Sequence, residues 1–191
     1  MKVRVPSDTA SSAGRTAHDL ALAALIGGNL FGRMAMHPAL SDVSDKRQRG
    51  KVLNRAWRRY GTVNSVALGT LVAGWLPARL NEAHPRWLSD RERRLALAKD
   101  ISMGAVVVTG LASGASGVFF SQQAPEGAVP METGTEPAAE APERAASLKR
   151  VVNALSALNL VAEIALLAAN ASLSQASFRR PPVRRVLRRR Y

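Results

Sequence analysis

Asp45 to Tyr60 reads DKRQRGKVLNRAWRRY, and the fold turns on whether this stretch belongs to water or to a membrane surface. Val52, Leu53, Ala56, Trp57 and Tyr60 recur at i, i+1, i+4, i+5 and i+8, which puts them on one helical face. Arg47, Lys51, Arg55, Arg58 and Arg59 flank or oppose that face. Taken alone, the stretch suits nucleic-acid phosphates as well as lipid headgroups. Its neighbours decide, because an apolar segment lies on either side. The reading is a basic amphipathic helix over 45–60 at the headgroup boundary, with Lys51, Arg55, Trp57, Arg58 and Arg59 as lipid-interface residues.

Working outward, four apolar segments approach the length that a bilayer core demands: about 20–36, 61–80, 101–120 and 151–173. The expected fold is therefore all-α, a four-transmembrane-helix bundle over 18–178 with the basic helix between its first two spans. Residues 1–17 read as a polar N-terminal segment ahead of a retained first helix, and 179–191 as an arginine-rich tail. His37-Pro38 should end the first segment, since the residue before proline is pushed out of the helical region. Ser44 or Asp45 suits an N-cap, and Ser89 with Glu92 fits a capping box at the start of the third helix. Residues 122–143 carry four prolines and five glutamates with few large apolar side chains. Such a stretch buries too little to offset its ordering entropy, so it reads as a flexible loop whose glutamates could lie against the basic helix.

Composition agrees. The chain has 191 residues, a net charge of +13 and 47% hydrophobic residues. Its mean hydropathy of −0.06 averages long apolar runs with charged connectors. Only 5% of residues are aromatic, fewer than a soluble core of this size would use. Small residues let helices approach closely in lipid, and Gly28 with Gly32 forms a small-xxx-small pair. A soluble bundle is disfavoured, because each of its helices would need a polar outer face. With no cysteine, disulfides, thiolate metal sites and cysteine nucleophiles are excluded.

Trp75 and Trp87 suit the far interface, and Arg184, Arg185, Arg188, Arg189 and Arg190 suit anionic headgroups there. Without interleaved aromatics the tail is a poor base-stacking surface, so nucleic acid is not the expected partner. The expected partners are the bilayer, anionic lipid headgroups, and a second copy or another membrane protein. An even number of spans puts both termini on one side, and Lys and Arg are more numerous there. The positive-inside rule then places both termini in the cytoplasm. The charges of 45–60 oppose that assignment. Heavy Ala and Arg use is that of a high-GC bacterial source, so the expected location is a bacterial inner membrane.

The intramembrane polar candidates are Asn29, Arg33, Asn64, Asn159 and Glu163. An intramembrane charge is a functional-site hypothesis by default, the structural alternative being a clamp that fixes helix register. Arg33 and Glu163 differ in depth by roughly 10 Å at helical rise, which disfavours direct pairing. Asn29 matches Asn159 in depth, and Asn64 suits Arg33. His18 and His37 stand about 28 Å apart at helical rise and cannot share an ion. His84 precedes a proline. No metal, cofactor or catalytic group is expected from these residues, and no nucleophile elbow or phosphate-binding loop is present.

GGNLFGRMAM, the Pro38-Ala39-Leu40 step and RGKVLNRAWRRY leading into the second span resemble small bacterial four-helix membrane families. Among these is the anthrone-oxygenase-like family. The resemblance covers about residues 25–75 and carries no catalytic residue across. Three functions follow as expectations: a non-enzymatic scaffold, accessory or binding subunit; a small transporter or channel subunit with a polar path at Arg33 and Glu163; and an oxygenase-like enzyme acting on a lipophilic substrate.

Overall fold

The computed structural model describes residues 8–81 and 88–178. Four long helices dominate: α1 Asp8–Phe31, α2 Lys46–Asn81, α3 Asp90–Ser121 and α4 Glu143–Phe178. Among the described residues no strand forms beyond one isolated bridge, Met131 to Pro137, so the all-α class holds. α3 packs along α4, and α1 packs antiparallel to α2. The two hairpins meet chiefly through α1 and α4.

Glycines set the closeness of α1 and α2. A Cβ at Gly28 would overlap Tyr60, and one at Gly32 would overlap Trp57. The Tyr60 hydroxyl donates to the Ala24 carbonyl at 2.7 Å. At the far end a Cβ on Gly74 would press on the Gly14 carbonyl and the Cβ of His18. Among the described residues, 8–17, expected as a polar segment, are helical and continuous with the first apolar segment, and Gly14 lies against α2.

Two further expectations give way nearby. His37 stays helical (φ −64°, ψ −44°) despite the following proline. The preceding residues, Gly32–Met36, form a π-turn in which the His37 N–H bonds to the Gly32 carbonyl. That wider turn absorbs the missing Pro38 donor and its ring, and the chain winds on through Leu40–Asp42. Nor is 45–60 a separate surface helix. Asp45 caps α2 through Gln48 N–H at 2.6 Å, and the helix then runs unbroken through Gly61. One glycine costs a helix only about 1 kcal/mol, and no proline stands there. At 36 residues, α2 and α4 are each about 54 Å long, well beyond a bilayer core of about 30 Å. At the other end Ser89 and Glu92 form the expected capping box on α3.

The largest departure is the segment between α3 and α4. It is folded as a cap on the His37–Leu40 stretch, the start of α2, the end of α3 and the start of α4. Val129 and Met131 are fully buried, in a core with Leu40, Leu53, Phe120 and Ala145. Met131 N–H bonds to the Lys46 carbonyl and Gly134 N–H to the His37 carbonyl. A Cβ on Gly50 would collide with the Val129 carbonyl. Gly127 adopts φ +71° and sits on Asn54, and Asn153 holds the Thr135 carbonyl at 2.9 Å. The cap thus covers Leu53 of the apolar face of 45–60, and the few apolar residues of the loop suffice because partners wait on three helices. The glutamates do lie against the basic helix: Lys46 pairs with Glu132 and Glu140, and Lys51 with Glu126.

A polar seam as the candidate functional site

On α4, Lys149, Ser156, Glu163 and Asn170 recur every seven residues and share one face, with Asn159 beside them. That face points into the bundle. Glu163 is 1% exposed and accepts hydrogen bonds from Asn29 Nδ2 at 3.2 and 3.1 Å. Asn29 Nδ2 also reaches Asn159 Oδ1 at 3.1 Å. Asn159 in turn donates to Thr109 Oγ1 and the Val106 carbonyl, each at 3.0 Å. One turn nearer the cap, Arg33 Nη2 donates to Ser156 Oγ at 2.8 Å. Beyond it Lys149, 3% exposed, lies 5.5 Å from the Phe120 ring centre.

A second cluster closes the opposite end. Lys99 Nζ donates to Asn170 Oδ1 at 2.5 Å, and Asn170 Nδ2 to Asp19 Oδ1 at 2.8 Å. Asp19 also meets His18 Nδ1 at 3.0 Å. Between the clusters stands an apolar layer of Leu22, Leu71, Met103 and Leu166. α4 therefore ties α1 and α3 together through polar contacts, whereas large apolar side chains face outward on all four helices. Leu20 on α1, Val66 on α2, Val108 on α3 and Val161 on α4 are each at least 65% exposed.

Of the sequence candidates, Asn29, Asn159 and Glu163 come together. Arg33 serves Ser156 instead of Asn64, which is half-buried on α2. Arg55, Arg58 and Arg59 are exposed, whereas Lys51 is committed to Glu126. Trp57 is half-buried against Gly32, and its indole N–H donates to His37 Nε2 at 3.3 Å. Trp75 donates to Asp100 Oδ1 at 3.1 Å, beside an Arg79–Asp100 ion pair of 2.6 Å. His84, Trp87 and the tail arginines lie outside the described residues. Asp19, Lys99, Thr109, Lys149 and Ser156 carry no signal that singles them out alone, and Asn170, a polar residue within the fourth apolar segment, joins them through the seven-residue spacing on α4.

Outside the apolar band, burial and then the charges of Lys149 and Arg33 push the His37 imidazole down to about 4. A neutral ring is what lets Nε2 accept from Trp57. The Lys46 and Lys51 ammoniums hold Glu132 and Glu126 below the usual carboxylate range. Among the described residues no group of three His, Asp or Glu side chains is placed to hold a metal ion. Comparison with family models, curated proteins and solved structures found no match to this chain.

Proposed function

We propose that the chain is a four-span integral membrane protein that works as a scaffold or accessory subunit without catalysis of its own. The observation that carries this reading is the polarity of the bundle: Leu, Val, Ile and Phe cover its outside, while amides, hydroxyls and a carboxylate share the inside with an apolar layer. α3 and α4 are each long and apolar enough to cross a membrane. Only 17% and 22% of their apolar windows are buried, which is too little for core helices of a soluble protein. α1 and α2 are more polar along their length, with Arg15, Asn29, Thr62, Asn64 and Thr70. They still expose Leu20, Phe31, Met34, Val63 and Val66. Water would penalise that surface, whereas lipid accepts it.

The scaffold role rests on closure of the seam. Its hydrogen bonds run between its own side chains and to the Val106 carbonyl, and the Leu22/Leu71/Leu166 layer separates the two clusters. In this reading the termini are cytoplasmic and the cap lies on the outer face of a bacterial inner membrane. A carrier role is the second reading, because Glu163 takes its hydrogen bonds from an amide and not from a cation. Glu163→Gln separates the two. As a scaffold element the variant keeps its yield and melting temperature in detergent, and wild-type liposomes show no proton or cation flux above empty ones. Flux in the wild type that Glu163→Gln abolishes would overturn the scaffold reading. Extraction with alkaline carbonate tests embedding itself: the protein should stay in the membrane pellet, and its release would contradict four spans.

A further inference from the structure

The outer face of the α1/α2 hairpin carries a groove of about 370 Å³. Its floor is the glycine notch of α1, Gly28 and Gly32, and its walls are the Trp57 and Tyr60 rings. Phe31 and Val63 border it on the side of the apolar band, and Arg59 lies at its rim. Arg55 precedes Arg59 by four residues and so stands one turn away on the same face, about 6 Å off. Both are exposed. Four residues past Arg59 comes Val63, then Val66, also exposed. The face therefore passes from paired arginines to bare apolar surface within two turns. Glu126 of the cap pairs with Lys51, and the Arg55 charge acts on it more weakly, while among the described residues no acidic side chain lines the groove beside Arg59.

We propose that this groove is a binding site for one anionic phospholipid. Arg55 and Arg59 hold the phosphate, and the groove along Gly28, Gly32 and Val63 takes an acyl chain. The site rests on the membrane-embedded reading above and adds a ligand to it. Charge complementarity selects the occupant: two guanidiniums above an apolar channel suit a phosphate with a hydrocarbon tail. A peptide would need backbone partners that the groove, walled by rings, does not offer.

The test uses the full chain in neutral detergent micelles, with Trp75→Phe and Trp87→Phe so that Trp57 alone fluoresces. Brominated phosphatidylglycerol and brominated phosphatidylcholine are titrated in parallel. The site requires half-quenching at a several-fold lower mole fraction of the anionic lipid, and that preference should fall roughly fivefold for each of Arg55→Gln and Arg59→Gln. Arg47→Gln, which removes an exposed charge from another face of α2, should leave the preference intact. Equal quenching by the two lipids, or equal loss with Arg47→Gln, would overturn the site while leaving embedding intact. Quenching by neither lipid would contradict embedding as well. Displacement of the lipid by millimolar inorganic phosphate would show a free-anion site and also overturn the proposal.

Discussion

The cap and the bundle obey opposite rules within one chain. In the cap, Leu40, Leu53, Phe120, Val129 and Met131 turn inward, and Lys46, Lys51 and the glutamates turn outward. In the bundle, Asn29, Asn159 and Glu163 turn inward, and Phe31, Val66, Val108 and Val161 turn outward. The hydrophobic effect can drive the first arrangement, since its apolar side chains leave water. In the membrane setting proposed above it cannot drive helix association in the second, because lipid is as apolar as leucine and small-residue packing and interhelical hydrogen bonds take over. α2 crosses from one regime to the other without a break, and the change falls between Arg59 and Val63.

Substitutions that sharpen the contrast should differ most in the cap core. Met131→Ala removes a fully buried side chain, with an expected cost of about 2–5 kcal/mol. Limited proteolysis should then cleave between α3 and α4 while the bundle keeps its helical circular dichroism. Loss of the bundle along with the cap would show one cooperative unit. In the bundle, Asn29→Leu leaves a buried carboxylate short of a donor, at about 1–3 kcal/mol. Glu163→Leu added to it should restore most of the melting temperature, since removing both partners is nearly neutral. Failure of that rescue would mean that Glu163 has a further partner or duty.

Acid should act on the cap before the bundle. His37 has a folded value of about 4 against 6.5 unfolded, so the unfolded chain binds its proton first. Stability is therefore present above pH 6.5 and declines as pH falls toward 4. Glu126 and Glu132 are held below 4.5, so their contribution declines further as pH drops through 4.5. Trp57 emission, which reports its bond to His37, should change from pH 6.5 downward, and His37→Gln should remove the upper part of that change. A transition confined to below pH 3 would contradict the arrangement. Outward positions should matter least: Val161→Ala on the apolar surface should move detergent stability by less than about 0.5 kcal/mol.

Much of this division was legible in the sequence. The four long helices, two of them apolar enough to cross a membrane, the Ser89–Glu92 box and the pairing of Asn29 with Asn159 follow from length, spacing and depth. The cap did not, because its core is built from residues far apart: Leu40 and Leu53 before the second segment, Phe120 at the end of the third, Ala145 on the fourth. Composition of 122–143 alone shows only prolines and glutamates. The π-turn at Gly32–Met36 was also hidden, as Pro38 reads as a stop unless a wider turn precedes it. The lysine, serine, glutamate and asparagine at 149, 156, 163 and 170 were visible, but a seven-residue repeat is ordinarily sought among apolar residues. Here the repeat is polar, and it joins α4 to α1 and α3 through side-chain hydrogen bonds.

Since the chain has no cysteine, single cysteines report their surroundings without a background. The most direct measurement places one at Leu20, Val66, Val108 or Val161, one site per helix, and one at exposed Thr135 in the cap, then exposes intact membranes to an impermeant maleimide. Four spans require that Thr135→Cys label from one side only and that all four helix positions stay unlabelled until the membrane is dissolved and the protein denatured. Labelling at Leu20 and Val66 as rapid as at Thr135, with Val108 and Val161 protected, would leave two spans and contradict the reversed-polarity bundle.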